Sequence, residues 1–336
     1  MTNKIEYPEK WHDSYTHRNR QDVLNAIDWM NKHQRSQAKL AKACHVSATT
    51  FNNIIKGSYP SQPLHHIRKI MDAIKLSDQR QKEGVHDCPF VETSVYRTVI
   101  AACKRAHLYR NFSVVSAFVG TGKTRGLKQY AADNSNVILL EATPDMNAGV
   151  LVSELVDKTN AIVHKSNRYA VGTKAEKVVA VVNVLRNTDS LIILDEAETV
   201  CTATLEYLRR ISDKANIGVV LAGTERLKPL IKDPRGRFGQ ISSRVGFWPP
   251  VIQGITEDDA AALSAAAFGD NEALSDDVLN ALWQMCDGSA RVLVSALIPG
   301  VKDYGLKKGS ELSPELIIEV GQKVLGFTPR PVRKDF

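Results

Sequence analysis

The stretch Phe112–Thr124, FSVVSAFVGTGKT, decides the fold. A short apolar run, FSVVS, leads into Ala117-Phe118-Val119-Gly120-Thr121-Gly122-Lys123-Thr124, and the helical stretch TRGLKQYAAD follows. Strand, glycine-rich turn and helix in that order make a phosphate-binding loop. Gly120 and Gly122 let successive backbone N–H groups curl around an anion, and the helix N-terminus adds partial positive charge. Lys123 reaches the outer phosphates of a nucleotide in such a loop, and the Thr124 hydroxyl ligates Mg²⁺. Thr121 and Arg125 complete the expected nucleotide-binding set. The usual first glycine is replaced by Ala117, at a position that calls for a small residue.

Outward from the loop, the apolar runs FSVVSAF, VILLEAT, LIILDEAE and IGVVLAGT alternate with helical stretches between residues 112 and 250. Such runs separated by helices predict buried parallel strands in an α/β fold. The run Leu191-Ile192-Ile193-Leu194 ends in Asp195-Glu196, about 70 residues after the loop. There Asp195 is expected to hold Mg²⁺ and Glu196 to orient and deprotonate an attacking water. Thr224 ends the run IGVVLAGT; it is a candidate for touching the terminal phosphate, and equally for capping the helix ERLKPLI. Arg237 and Arg244 lie in RGRFGQISSR and are candidates to enter a neighbouring subunit's site, with an exposed, solvated loop as the alternative. Arg291 follows Gly288-Ser289-Ala290 at the start of a helix and is a candidate to reach back to the phosphates.

The 336 residues divide by composition. Residues 1–86 carry a net +6 and seven of the nine histidines, while the remaining 250 residues carry only +1. We expect a small basic helical domain over 1–76, a polar linker over 77–92, a nucleotide-binding core over 93–250, a helical lid over 251–325 and a basic tail over 326–336. Five dispersed cysteines without a Cys-x-x-Cys pair argue for reduced thiols acting as small apolar fillers, in a cytoplasmic protein. No run of 18 apolar residues and no secretory leader occurs, so no membrane partner is expected. Neither a Gly-x-Ser-x-Gly elbow nor a His-Glu-x-x-His helix is present.

Taken in order, the loop at 117–124, the acids at 191–196, Thr224, the arginines of 235–244 and Arg291 resemble the motifs of AAA+ ATPases. Within that class, the domain order and the segment TSVYRTVIAACKRAHLYRNFSVVSAFVGTGKT resemble the phage Mu B transposition protein and TnsC-like family. The resemblance covers about residues 93–325. It implies an ATP- and Mg²⁺-dependent ATPase that assembles as a helical filament or ring on duplex DNA, selects target DNA and activates a DDE-type transposase. It also implies DNA contacts from a loop of the core, for which Lys165, Arg168 and Tyr169 are candidates, with a solvated loop as the alternative.

The N-terminal residues support a DNA reading independently. QAKLAKA, a turn at His45-Val46-Ser47 and ATTFNNIIKG read as a helix-turn-helix of lambda-repressor-like type. Thr49, Thr50, Asn52, Asn53 and Lys56 would face base edges and phosphates, while Phe51, Ile54 and Ile55 pack inward. A protein-contacting or purely regulatory module fits the same pattern. Two other functions remain open to the whole chain: an ATP-gated transcription regulator, and another AAA+ machine such as a helicase loader.

Overall fold

The computed structural model describes residues 5–82, 88–160, 172–232, 236–269 and 274–328. Two compact units divide the chain between Asp87 and Cys88.

Among the described residues the first unit contains four helices: α1 (His17–Lys32), α2 (Gln37–Ala43), α3 (Ala48–Ile55) and α4 (Leu64–Lys82). Ser36 and Ser47 accept backbone N–H bonds at the starts of α2 and α3, as their sequence positions predict. Gly57 follows α3 with φ +69°, the left-handed stop that only glycine adopts without strain. Phe51, Ile54 and Ile55 are buried against Ile27, Met30 and Ile67, which accounts for the apolar face of α3. Helix α4 runs six residues into the segment expected as linker from 77. SDQRQK contains neither Gly nor Pro, and the Trp29 indole donates to the Asp78 carboxylate at 2.6 Å, so nothing stops the helix there.

The second unit begins with α5 (Ser94–Tyr109), capped by Thr93. Its sheet consists of β1 (Phe112–Ser116), β2 (Val137–Glu141), β3 (Leu191–Asp195), β4 (Gly218–Gly223) and β5 (Val245–Phe247). All pairings are parallel, in the order β2-β3-β4-β1-β5. Between the strands come α6 (Lys123–Asp133), α7 (Ala148–Thr159), α8 (Lys174–Leu185), α9 (Thr202–Ala215), α10 (Leu227–Ile231) and α11 (Gly239–Ser242). β1, β3 and β4 are buried along their whole length, as their continuous apolar runs require.

Sequence analysis anticipates four strands; the fifth, β5, is the difference. Its three residues, Val-Gly-Phe, have no alternation to read, and the strand exists because Phe112 and Ser113 of β1 offer an open edge.

The remaining helices form a lid: α12 (Glu257–Phe268), α13 (Asp276–Cys286), α14 (Ala290–Val292), α15 (Ile298–Tyr304) and α16 (Pro314–Glu319). A π-helical segment, Leu293–Leu297, joins α14 to α15 just before Pro299, whose missing N–H interrupts the regular ladder. The lid buries its own cluster around Leu282, Leu293, Leu297 and Val301. Cys88 and Val91 belong to this cluster, so the end of the expected linker is packed chain. Four cysteines are buried, and burial pushes the Cys103 thiol up to about 12, whereas Cys201 is exposed and is no core filler.

Leu221 is fully buried at the centre of β4. Leu221→Ala should cost the second unit about 2–5 kcal/mol, read as a lower urea midpoint of its unfolding transition.

Candidate nucleotide site

The expected loop closes β1 onto α6 as its glycines require. Gly120 and Gly122 have φ of +83° and +98°, and Ala117 needs no such freedom because it extends the strand beside Ile252. The replaced glycine is therefore no obstacle to the turn. Thr121 is buried and its hydroxyl donates to the Phe118 carbonyl at 3.0 Å, bracing the loop from within. Helices α1, α2, α3, α5, α7, α8, α12 and α13 each begin on a Ser, Thr or Asn side-chain cap. Helix α6 begins on Gly122 with no side-chain cap, which leaves its first N–H groups to an anion.

The strand order places β4 between the loop strand β1 and the acid strand β3. Asp195, 2% exposed at the end of β3, receives the Lys123 ammonium on Oδ1 and the Thr124 hydroxyl on Oδ2 at 2.6 Å. One carboxylate thus holds the two loop residues expected at phosphate and metal. Glu196 follows in a left-handed conformation, φ +56°, and its side chain is exposed. Thr224 stands at the tip of β4, with its N–H bonded to Glu198 at 2.9 Å and its hydroxyl buried without a partner.

Lys123, Thr124, Glu196 and Thr224 line one cleft of about 580 Å³. Phe90, Val91 and Tyr96 form an apolar part of the wall, and Glu196, Glu198, Thr224 and Arg291 contribute polar and charged groups. The Arg291 backbone N–H donates to the Gly120 carbonyl at 2.9 Å, so the lid is tied to the loop. Arg125 lines the cleft but turns its guanidinium to the Cys88 carbonyl. Asp259 links the lid to α5: it accepts the Ser94 N–H at 2.8 Å, the Ser94 hydroxyl, and the Thr256 N–H at 3.0 Å. Burial works against its ionisation, but those hydrogen bonds outweigh it and hold the carboxyl below its ordinary value.

A triphosphate and Mg²⁺ fit this donor set. The uncapped helix, the lysine and the orphaned Thr224 hydroxyl suit phosphate oxygens, and Thr124 with Asp195 supplies hard oxygen ligands. Among the described residues no group of three or more His, Cys, Asp or Glu is placed to hold a metal; Thr124 and Asp195 would hold a cation here together with oxygens from outside the chain.

Neither Arg237 nor Arg244 lines this cleft. Arg244 immediately precedes β5, and its carbonyl pairs with the Phe112 N–H at the start of β1, the end of the strand away from the loop. Its guanidinium bonds Asp213 at 2.7 Å and the Gln240 carbonyl at 3.0 Å; the Asp213 bond raises its pKa. Arg237 is exposed in the turn before α11. In the first unit, Thr49 and Lys56 are exposed on α3 and its C-cap, Asn52 and Asn53 are half-buried, and Thr50 is bonded to the Ser47 cap. Lys165, Arg168 and Tyr169 lie outside the described residues.

Sequence reading missed Glu198, Asp259 and the Phe90–Tyr96 wall. Glu198 was visible as a further acid after Asp195-Glu196, but its partner lies 26 residues away. The aromatic wall begins in a stretch whose Gly84 and Pro89 read as linker.

The five-stranded parallel sheet, the loop and the acid-tipped strand one strand removed from it give the second unit a AAA+ fold. A profile described as an AAA domain matches residues 106–231. The Aeropyrum pernix ORC2 protein in its ADP form superposes with a TM-score of 0.51 at 17% identity, over 71% of this chain and 70% of that one. The Pyrobaculum aerophilum Cdc6p structure gives 0.51 at 18% identity, over 70% and 69%. Both likenesses concern the fold. Within that class the chain is similar to phage and prophage transposition B proteins. It is 26% identical over 284 residues to the Mu-like prophage FluMu DNA transposition protein B of Haemophilus influenzae, covering 83% of this chain and 93% of that protein. It is 30% identical over 138 residues to the ATP-dependent target DNA activator B of Escherichia phage Mu, a match covering 41% of this chain and 43% of the phage protein.

Two outcomes follow from the geometry. Lys123→Ala should abolish ATP binding in calorimetry while the wild type binds. The depressed pKa of Asp259 contributes stability that is complete above the ordinary carboxylate value and is lost as pH falls through the lower folded value. Asp259→Asn should therefore flatten the acid limb of the second unit's stability curve below about pH 4.

Proposed function

We propose that this chain is an ATP-dependent, DNA-binding ATPase that assembles on duplex DNA, marks it as a transposition target and activates a DDE-type transposase. One observation carries the reading: the buried Asp195 carboxylate gathers Lys123 and Thr124 at an uncapped helix N-terminus. The likeness to transposition protein B supplies the biological context.

In this reading Lys123 and the N–H groups of Gly120–Thr124 hold the phosphates. Thr124 and Asp195 hold Mg²⁺, which when bound neutralises phosphate charge. Glu196, exposed beside Asp195, accepts a proton from the attacking water. Arg291 carries a charge on the lid to the same cleft and responds to the phosphates. Arg237 or Arg244 completes the site of the next subunit, which couples nucleotide binding to assembly; Arg244 must first exchange its bond to Asp213 for the incoming phosphate.

DNA contact is assigned to the first unit through Thr49, Thr50, Asn52, Asn53 and Lys56, and by sequence alone to Lys165, Arg168 and Tyr169. Contacts made chiefly to phosphates give sequence-tolerant binding that weakens steeply with salt.

Glu196→Gln should lower ATP turnover about 10²–10⁴-fold while retaining ATP, and should prolong ATP-dependent binding to random duplex DNA in co-sedimentation. Turnover at the wild-type rate would remove Glu196 from the reaction, and DNA binding indifferent to ATP would remove the coupling.

A further inference from the structure

Glu198 sits in the short 3₁₀ turn Ala197–Thr199 directly after β3, two residues beyond Glu196. Its Oε1 accepts the backbone N–H of Thr224 at 2.9 Å. Its Oε2 is buried without a hydrogen-bond partner, as is the Thr224 hydroxyl. Unsatisfied buried oxygens are costly and uncommon, and both of these belong to residues lining the cleft that holds Lys123 and Glu196.

Gly223, the residue before Thr224, gives an independent sign that this carboxylate has a reserved place. Its φ is not positive, so β4 does not need glycine for its backbone. A Cβ there would overlap the Glu198 Oε2 and come within 2.9 Å of the carboxyl carbon. The missing side chain is what admits the carboxylate to the tip of β4.

The strand order gives the contact its meaning. β4 lies between the acid strand and the loop strand, and its tip is joined to the end of β3 through Glu198. We propose that Glu198 is a positioning residue for ATP hydrolysis: it fixes the tip of β4 so that the Thr224 hydroxyl meets the terminal phosphate. The proposal rests on the ATPase reading above. Glu196 keeps the water, Lys123 and the loop keep the binding energy, and Glu198 sets where the threonine stands when the phosphate reacts. Displacing such a group by about 1 Å costs on the order of 10²-fold in rate, with little effect on binding that the loop dominates.

The test uses the full chain, measuring steady-state ATP turnover beside the affinity for a non-hydrolysable ATP analogue. Glu198→Ala should lower kcat by at least about tenfold and leave analogue affinity within about threefold. Gly223→Ala, which leaves Glu198 intact but fills its place, should give the same loss, and the double variant should be no worse than either single one. Glu198→Gln keeps an oxygen for the Thr224 N–H and should recover kcat to within about threefold of wild type. Gly223→Ala carries the test if Glu198→Ala does not fold. Wild-type kcat in either alanine variant, a fall in analogue affinity parallel to kcat, additive losses, or a glutamine variant as slow as the alanine one would each overturn the positioning role. A wild-type protein that turns over no ATP would instead overturn the ATPase reading beneath it.

Discussion

The carboxylate of Asp195 is the constraint on which the second unit is organised. It is almost wholly buried, and a buried anion persists only when paired and hydrogen-bonded. Its partners come from the far side of an intervening strand, so the ends of β1 and β3 must stay in register across β4. That requirement explains why β1, β3 and β4 are buried throughout: a rigid apolar slab fixes two polar ends relative to each other. The ammonium and hydroxyl are gathered on this carboxylate at an uncapped helix N-terminus, so the polar groups of the cleft are held in place before any ligand arrives.

Much of this arrangement was legible in the residues. The loop carries its own geometry, since Gly120 and Gly122 occur where positive φ is required and Lys123 and Thr124 follow at fixed offsets. The caps Ser36, Ser47 and Thr93 are equally local, each accepting a backbone N–H three residues ahead. The features that escaped depend on distant partners. β5 is held by the edge of β1, α4 is prolonged past Leu76 beside an indole from α1, and Cys88 is buried by the lid. Glu198 reads as one more acid after a strand until Gly223 is seen beside it. Arg237 and Arg244 mark a further boundary of sequence reading: the structure keeps both out of the cleft, and Arg244 is bonded to Asp213 instead.

The two units differ in how they present polar groups. In the first, a small core around Phe51 and Ile54 supports short polar side chains on α3, so its surface is defined by what a helix face carries outward. In the second, they sit at strand ends and helix starts, where backbone groups left over from regular structure converge on one cleft. The first kind of surface tolerates changes in its scaffold so long as the face survives. The second is sensitive to shifts of single strands.

The tie between lid and loop runs from the backbone N–H of Arg291 to the backbone carbonyl of Gly120. The Ser289 hydroxyl reaches the same carbonyl at 3.5 Å, and Gly120 is held to glycine by its φ of +83° and by Ser289 beside it. The Arg291 side chain takes no part in the bond, so substitutions at 291, proline excepted, leave it in place. Mutational drift can therefore strip the lid of its guanidinium without detaching the lid. Descendants of this chain can lose or regain charge at position 291 while inheriting the same backbone contact.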